Sequence, residues 1–239
     1  MKKTILVSLF CCVGLVVSAL IVAKPWITIR RAKPIVVKGY AESEVVADAG
    51  SLSATVVATG ASNSIAYVAA GEALERVKEI VGRTLKNAEM VELKTSVSEV
   101  RKLDANGKRT NRIDYYSATR RIRINGNDVR GLKKLSRRLF DLNAEGLRVS
   151  VSGPDFFVSD LDRVKLDLIE RATQNGRERA KRLAAASGER LGSLVSARQG
   201  VIQITKRNSG ETTSWGVYDT ETIDKVVKLV VTLEYEISK

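Results

Sequence analysis

Thirteen basic residues fall between Arg101 and Arg138, opposed only by Asp104, Asp114 and Asp128, in a chain whose net charge is +13. Most of the excess charge therefore lies in one segment. Arginine offers a planar fork of donors that fits phosphate or carboxylate, and lysine offers a compact point charge. Such residues bind anions and make or break no bond by themselves. Arg121 and Arg123 share one parity, while Tyr116, Ala118, Ile122 and Ile124 share the other. Further on, Arg130, Lys133, Lys134, Arg137 and Arg138 lie on the arc away from an apolar stripe running from Val129 to Leu142. With Arg101 and Lys102 these residues form a candidate surface for an anionic partner. One alternative is a solvated face that serves solubility, and another is pairing with acidic surfaces between subunits. An anionic lipid headgroup, a glycan or an acidic protein suits the charge, each basic residue near an anionic membrane contributing about 1 kcal/mol. Nucleic acid meets the charge criterion but is disfavoured, since the chain has no recognised binding motif and few aromatics for stacking.

Other chemistry is constrained by what the sequence omits. It contains no histidine, and its only cysteines are Cys11 and Cys12. The usual neutral-pH general base, the Ser-His and Cys-His nucleophile pairs and the commonest metal ligand are thereby missing. No phosphate-cradling glycine loop ends in Lys-Ser/Thr, no G-x-S-x-G elbow is present, and no S-x-x-K pair occurs. The expectation is a protein without catalytic residues, metal or cofactor, and with no disulfide beyond residue 12.

The elements that position these residues follow from periodicity. Residues 34–60 are β-branched and alternating, with Asp48-Ala49-Gly50 as a turn, which predicts a hairpin of two strands. Ile65, Val68, Ala69, Leu74, Val77, Ile80 and Val81 recur at helical spacing behind a cap at Ser62 or Asn63. Val91–Leu103 and Arg112–Ile124 flank Asn106-Gly107, a strong hairpin signal. A second helix starts near Asp128, and Leu147–Ser152 forms a short strand. The third helix runs from Ser159 or Asp160 to a stop at Gly188, with Leu161, Val164, Leu168, Ala172, Gly176, Ala180 and Ala184 on its buried face. A strand over Ser193–Thr205, a polar loop and a closing strand complete the chain. In the closing strand Val227, Leu229, Val231, Leu233, Tyr235 and Ile237 alternate with polar residues. The predicted class is α+β, mainly antiparallel sheets with about three packed helices in the order ββαββαβαββ. Phe156 or Phe157 is expected in the core. Trp215, with Tyr218 nearby in a polar loop, either folds back on its own domain or forms a subunit contact.

Ahead of this body, Ile5–Ala23 is a 19-residue run without charge, about the length that crosses a bilayer. Lys2 and Lys3 precede it; Lys24, Trp26, Arg30, Arg31 and Lys33 follow, with Lys24, Trp26, Arg30 and Arg31 suited to a membrane interface. Small residues at Val17-Ser18-Ala19 and Ile21-Val22-Ala23 also permit cleavage as a secretory signal. The expected organisation is a cytoplasmic leader (1–4), a transmembrane anchor or signal peptide (5–23), a linker (24–33) and an α+β domain (34–239).

Four segments in order resemble the SIMPL-domain family: Ile35–Asp48, the pair within Val91–Ile124 with Thr95 and Tyr116 at characteristic places, Glu170–Gly192, and the closing strand VVTLEYEI. Gly176, where alanine is usual, and the loop Asn208–Thr220 with its Trp215 depart from the pattern. The resemblance implies a periplasmic-type location, symmetric rings in some members, a role in oxidative stress defence in others, and no catalytic residues. Together these readings predict a non-enzymatic, single-pass protein of the cytoplasmic (inner) membrane with its bulk in the periplasm, forming a homo-oligomeric scaffold or stress-protective assembly. The alternatives are a soluble periplasmic form after cleavage, and a binding module for anionic lipid, glycan or acidic protein.

Overall fold

A computed structural model describes residues 34–238 and, before them, Ser18 alone. The expected anchor Ile5–Ala23 and the interface residues Lys24, Trp26, Arg30 and Arg31 lie outside the described residues. Among those described, no helix is long and apolar enough to cross a membrane. The elements are β1 (Ile35–Val46), β2 (Ala49–Gly60), α1 (Asn63–Thr84), β3 (Glu89–Leu103), β4 (Arg109–Gly126), α2 (Val129–Asp141), β5 (Arg148–Phe157), α3 (Leu161–Ala186), β6 (Arg190–Gln199), β7 (Gln203–Lys206) and β8 (Asp224–Ser238). Among the described residues the class is α+β with three helices, and the chain divides into two compact units.

One unit comprises Ser43–Val164 and Gln203–Val227. Its sheet has the order β3-β4-β2-β5, antiparallel at every pair. Alternation sends Leu52, Ala54 and Val56 of β2, Ile122 and Ile124 of β4, and Val149 and Phe156 of β5 to one face. There they pack on Leu74, Val77 and Val81 of α1 and on Leu132, Leu135 and Leu139 of α2. Burying each such side chain is worth about 1.5–3 kcal/mol, so this face is the energetic centre of the unit. Helix α1 starts at Ser62, one of its two expected caps, and α2 starts at Asp128 as the sequence predicts, with Asp128 as its cap. The Ser62 hydroxyl accepts from the Ile65 N–H at 3.3 Å, and the Asp128 carboxylate accepts from the Gly131 N–H at 2.8 Å. The end of α2 is clamped by Asn143, whose amide donates to the carbonyls of Phe140 and Val149 and accepts from the Val149 N–H. Asn106-Gly107 closes the β3–β4 hairpin, with Gly107 at φ +76° and the Asp104 carboxylate accepting from the N–H groups of Asn106 and Lys108.

The other unit comprises, of the described residues, 34–42, Lys165–Ile202 and 228–238. Here β8 lies between β1 and β6, and the β6–β8 pair is antiparallel. Helix α3 runs along β1 and meets its backbone: the Asn175 side chain accepts from the Tyr40 N–H at 3.1 Å, Arg171 donates to the Glu42 carbonyl at 2.7 Å, and Arg179 donates to the Lys38 carbonyl at 3.1 Å. An edge strand's spare polar groups invite pairing with foreign strands, and these three side chains, four residues apart on the helix, occupy them. The buried face of α3 is Leu168, Ala172, Gly176, Ala180 and Ala184, as the spacing predicts, while Leu161 and Val164 are only half-buried.

Two expectations are corrected. β1 and β2 do not form a hairpin: β1 pairs with β8, and β2 lies between β4 and β5. The link between them is no turn tip. Ala47 is buried and its N–H donates to the Ile223 carbonyl, and the Asp48 carboxylate accepts from the N–H and hydroxyl of Ser159. Those bonds hold the Asp48 carboxyl below its usual range, with burial opposing. The strand expected over Ser193–Thr205 is two strands, β6 and β7, making the order ββαββαβαβββ. Residues 200–202 separate them; the Gly200 N–H still donates to the Val230 carbonyl at 2.8 Å, and a β-carbon at Gly200 would lie 2.8 Å from that oxygen.

Candidate functional site

The basic segment is divided among three places. Arg101 and Lys102 sit on the far part of the β3–β4 hairpin, each half-exposed and facing an acid, Glu99 and Asp114 respectively. Arg121 and Arg123 lie on the sheet face opposite the core, because Ile122 and Ile124 between them point into it. Arg121 donates from Nε to the Thr55 hydroxyl at 3.1 Å, and Arg123 sits between Ser53 and Val91 on the neighbouring strands. Arg130, Lys133, Lys134, Arg137 and Arg138 are all exposed on the outer side of α2, whose inner side packs on the core face of the same sheet. The sheet thus lies between the arginines of β4 and the cations of α2. They form separate surfaces.

The α2 group is the densest. Its five side chains line a shallow depression of about 290 Å³, and none of them pairs with an acid among the described residues. Asp128 at the head of the helix is committed to its capping bond. The cations of α1 are different: Arg76, Lys78 and Arg83 all face glutamates, and Lys78 bridges Glu75 at 2.9 Å and Glu92 at 2.7 Å. The hydrogen bonds it donates to those two glutamates hold the Lys78 ammonium above its ordinary value, and the bond from Lys78 holds Glu92 below its own, with burial opposing in both.

Sequence reasoning missed two residues here. Phe140 stands 64% exposed beside the α2 cations, and its phase off the leucine stripe was the available signal. Arg120 falls on the core-side parity of β4 and lies over the Tyr67 ring at 4.4 Å, with its Nε buried and without a partner. A cation over an aromatic face is stabilising, but only the tertiary arrangement brings α1 beneath it.

Trp215 does not fold back on its domain: it is 92% exposed. The buried Gln203 side chain donates to the Thr213 carbonyl at 2.8 Å and accepts from the Val217 N–H at 2.8 Å, pinning the loop on both sides of the indole. Tyr218 is partly covered, its ring 6.4 Å from that of Phe157. Phe156 is the residue of its pair that enters the core.

Among the described residues, no group of three or more His, Cys, Asp or Glu side chains could hold a metal. The cleft beside α3 and the start of β6, about 560 Å³, is lined by Arg177, Lys181 and Arg190 together with Glu178 and Glu189, with no nucleophile facing a base. The Tyr40 phenol, next to Glu42, is pushed up to about 12 by burial and by that carboxylate. It stays protonated at neutral pH.

Residues 35–223 match the SIMPL family, described as a protein of unknown function (DUF541). The chain belongs to the SIMPL family. The match covers most of both units and includes the α2 surface and Trp215. No curated protein matches the chain. Among solved structures, a hydantoinase/carbamoylase family amidase from Burkholderia ambifaria is similar to 46% of this chain over 30% of its own length, at 13% identity and a TM-score of 0.32. At that level the likeness carries nothing about fold or activity.

Proposed function

We propose that this SIMPL protein is a non-enzymatic component of the cell envelope, held at the inner membrane by Ile5–Ala23, with its domain in the periplasm, where it self-associates into a scaffold or stress-protective assembly. The missing histidine and the confinement of cysteine to positions 11 and 12 support the non-enzymatic reading.

One observation carries the self-association. β2 stops pairing with β4 at Gly60 and Tyr116, yet β3 and β4 continue as a pair to Leu103 and Arg109. Residues 100–115 therefore form a two-stranded ribbon with no third strand beside it among the described residues. Such a ribbon is marginal in water by itself, and this one exposes Leu103 at 62%, Ile113 at 40% and Tyr115 at 37%. A second copy would bury those side chains and the ribbon's free edges. The exposed Trp215 supplies a second aromatic anchor of the kind enriched at interfaces.

The test is the native mass of the full chain in mild detergent at micromolar concentration. The expected result is a defined oligomer that falls to monomer when Leu103, Ile113 and Tyr115 are all replaced by serine. A monomeric wild-type protein would sink the assembly. N-terminal sequencing of the mature protein from a membrane fraction tests the anchor, since a start after Ala19 or Ala23 would make the protein a soluble periplasmic one.

A further inference from the structure

We propose that the outer face of α2 is a docking surface for an anionic lipid bilayer, with Arg130, Lys133, Lys134, Arg137 and Arg138 meeting headgroup phosphates and Phe140 entering the interface between them. The proposal is independent of self-association.

Charge placement is the first support. At a rise of about 1.5 Å per residue, five cations fall within about 12 Å of helix. Arg130–Lys134, Lys133–Arg137 and Lys134–Arg138 are like-charge pairs at four-residue spacing, each destabilising by a few tenths of a kcal/mol. A face that served solubility alone would intersperse acids, as α1 does with Glu75 and Glu79. On α2 only Asp141 shares the arc, at its last turn. The Arg138 guanidinium has one bond, to the Thr84 hydroxyl at 3.3 Å. The unbalanced repulsion is relieved by an anionic surface wide enough to reach all five.

Shape selects the source of that charge. The depression between the cations is shallow, and no buried donor in it would fix a single phosphate in one geometry. A rod of cations suits a plane of headgroups, as do the basic faces of interfacial helices. Phe140 is decisive between a bilayer and a soluble polyanion. It flanks the cation arc three residues past Arg137, outside the Leu132, Leu135 and Leu139 stripe, and remains 64% exposed. Water gains nothing from a phenyl ring there, whereas the headgroup boundary takes it favourably.

The experiment uses the full chain reconstituted in vesicles, so that any membrane attachment through the N-terminal segment is the same in every arm. Phe140→Trp, in a Trp26→Phe and Trp215→Phe background, reports on α2 by its emission and by quenching from nitroxide-labelled headgroups. In vesicles containing about one-third phosphatidylglycerol the indole should shift blue and be quenched; in pure phosphatidylcholine it should do neither. Raising salt should reverse the effect, since screening shortens electrostatic reach. Replacing Lys133, Lys134 and Arg137 by glutamine should weaken docking about a hundredfold, and circular dichroism would verify that this variant keeps its helices. Equal signals in the two lipids, or an unchanged signal in the glutamine variant, would overturn the proposal. So would a shift produced by soluble polyphosphate and not by anionic vesicles, which would make the occupant a free polyanion.

Discussion

Replacing Gly39 by alanine is expected to lower the melting temperature by about 6–12 °C. A β-carbon built at Gly39 would lie 2.0 Å from the Ala172 carbonyl oxygen, 2.8 Å from the Gly176 nitrogen and 3.0 Å from the Gly176 α-carbon. All three are backbone atoms of α3 and cannot rotate away. Relief requires the helix to move off β1, which breaks the bonds from Arg171 and Arg179 and to Asn175. Overpacking of this kind costs about 3 kcal/mol, and each kcal/mol shifts the midpoint about 2–4 °C at this size. Gly176→Ala should be far milder. Its β-carbon would meet the Leu233 δ-methyl at 2.6 Å, the end of a side chain, and the Gly39 α-carbon and nitrogen at 3.2 and 3.3 Å, which must give by only a few tenths of an ångström, and alanine regains about 1 kcal/mol of helix propensity. Thermal unfolding of the two variants measures the difference, and hydrogen exchange should show the Gly39→Ala loss in α3 while α1 and α2 keep their protection. A Gly39→Ala protein as stable as wild type would contradict the close approach.

Asp219→Ala is expected to cost about 3–5 kcal/mol, because it leaves a covered ammonium unpaired. The Lys225 side chain is fully buried, its Nζ donating to the Asp219 carbonyl at 2.5 Å and facing the Asp219 carboxylate at 3.4 Å. The same carboxylate accepts from the Thr222 hydroxyl and from the Glu221 N–H. Burial pushes the Asp219 carboxyl up, but these donors and Lys225 outweigh it and hold it below the usual carboxylate range. Burial also pulls the Lys225 ammonium down, and the Asp219 charge offsets only part of that. The two groups thus differ: folding favours the charged carboxylate and disfavours the charged lysine. The carboxylate has three donors and the lysine two oxygens of one residue, so removing the aspartate is the more damaging change. Lys225→Met added to Asp219→Ala should recover most of the loss, since an apolar pair of similar volume strands no charge. The pH dependence follows from the sign of the shift. A carboxyl lowered by folding contributes stability that is present above its unfolded value and is lost as pH falls through its folded one. The gap between wild type and Asp219→Ala should therefore narrow in acid, below about pH 4. Urea unfolding at neutral and acid pH measures it, and a gap constant with pH would exclude the ion pair as its source.

Local pattern sufficed wherever the physics is local. The cap at Ser62, the helix start at Asp128, the Asn106-Gly107 turn, the Leu132–Leu139 stripe, the small-residue face of α3 and the alternation of β8 are all present as read, because each depends on a few neighbouring residues and on periods of 3.6 or 2. Four ordered motifs of the same kind also carried the family. The sequence by itself thus determined most of the elements and a SIMPL membership that assigns no function, but not every buried face: at the start of α1 the stripe residues Ile65 and Val68 stand exposed while Ala66 and Ala70 are buried.

Tertiary structure alone decided which elements meet. Parity places Ile35–Val46 and Ala49–Gly60 in strands but is silent about sheet partners, so β1 and β2 looked like a hairpin when each belongs to a different sheet. The same silence let nine of the thirteen cations pass for one surface. Alternation along β4 and the phase of α2 set Arg121 and Arg123 on one side of a sheet and Arg130–Arg138 on the other. Gly176 looked like a departure from the family pattern until Gly39, 137 residues earlier in the chain, was found against it. Side-chain period is a property of one segment, whereas partner choice is settled by burial and hydrogen bonding summed over segments distant in sequence, and the candidate surfaces of this protein are made at that level.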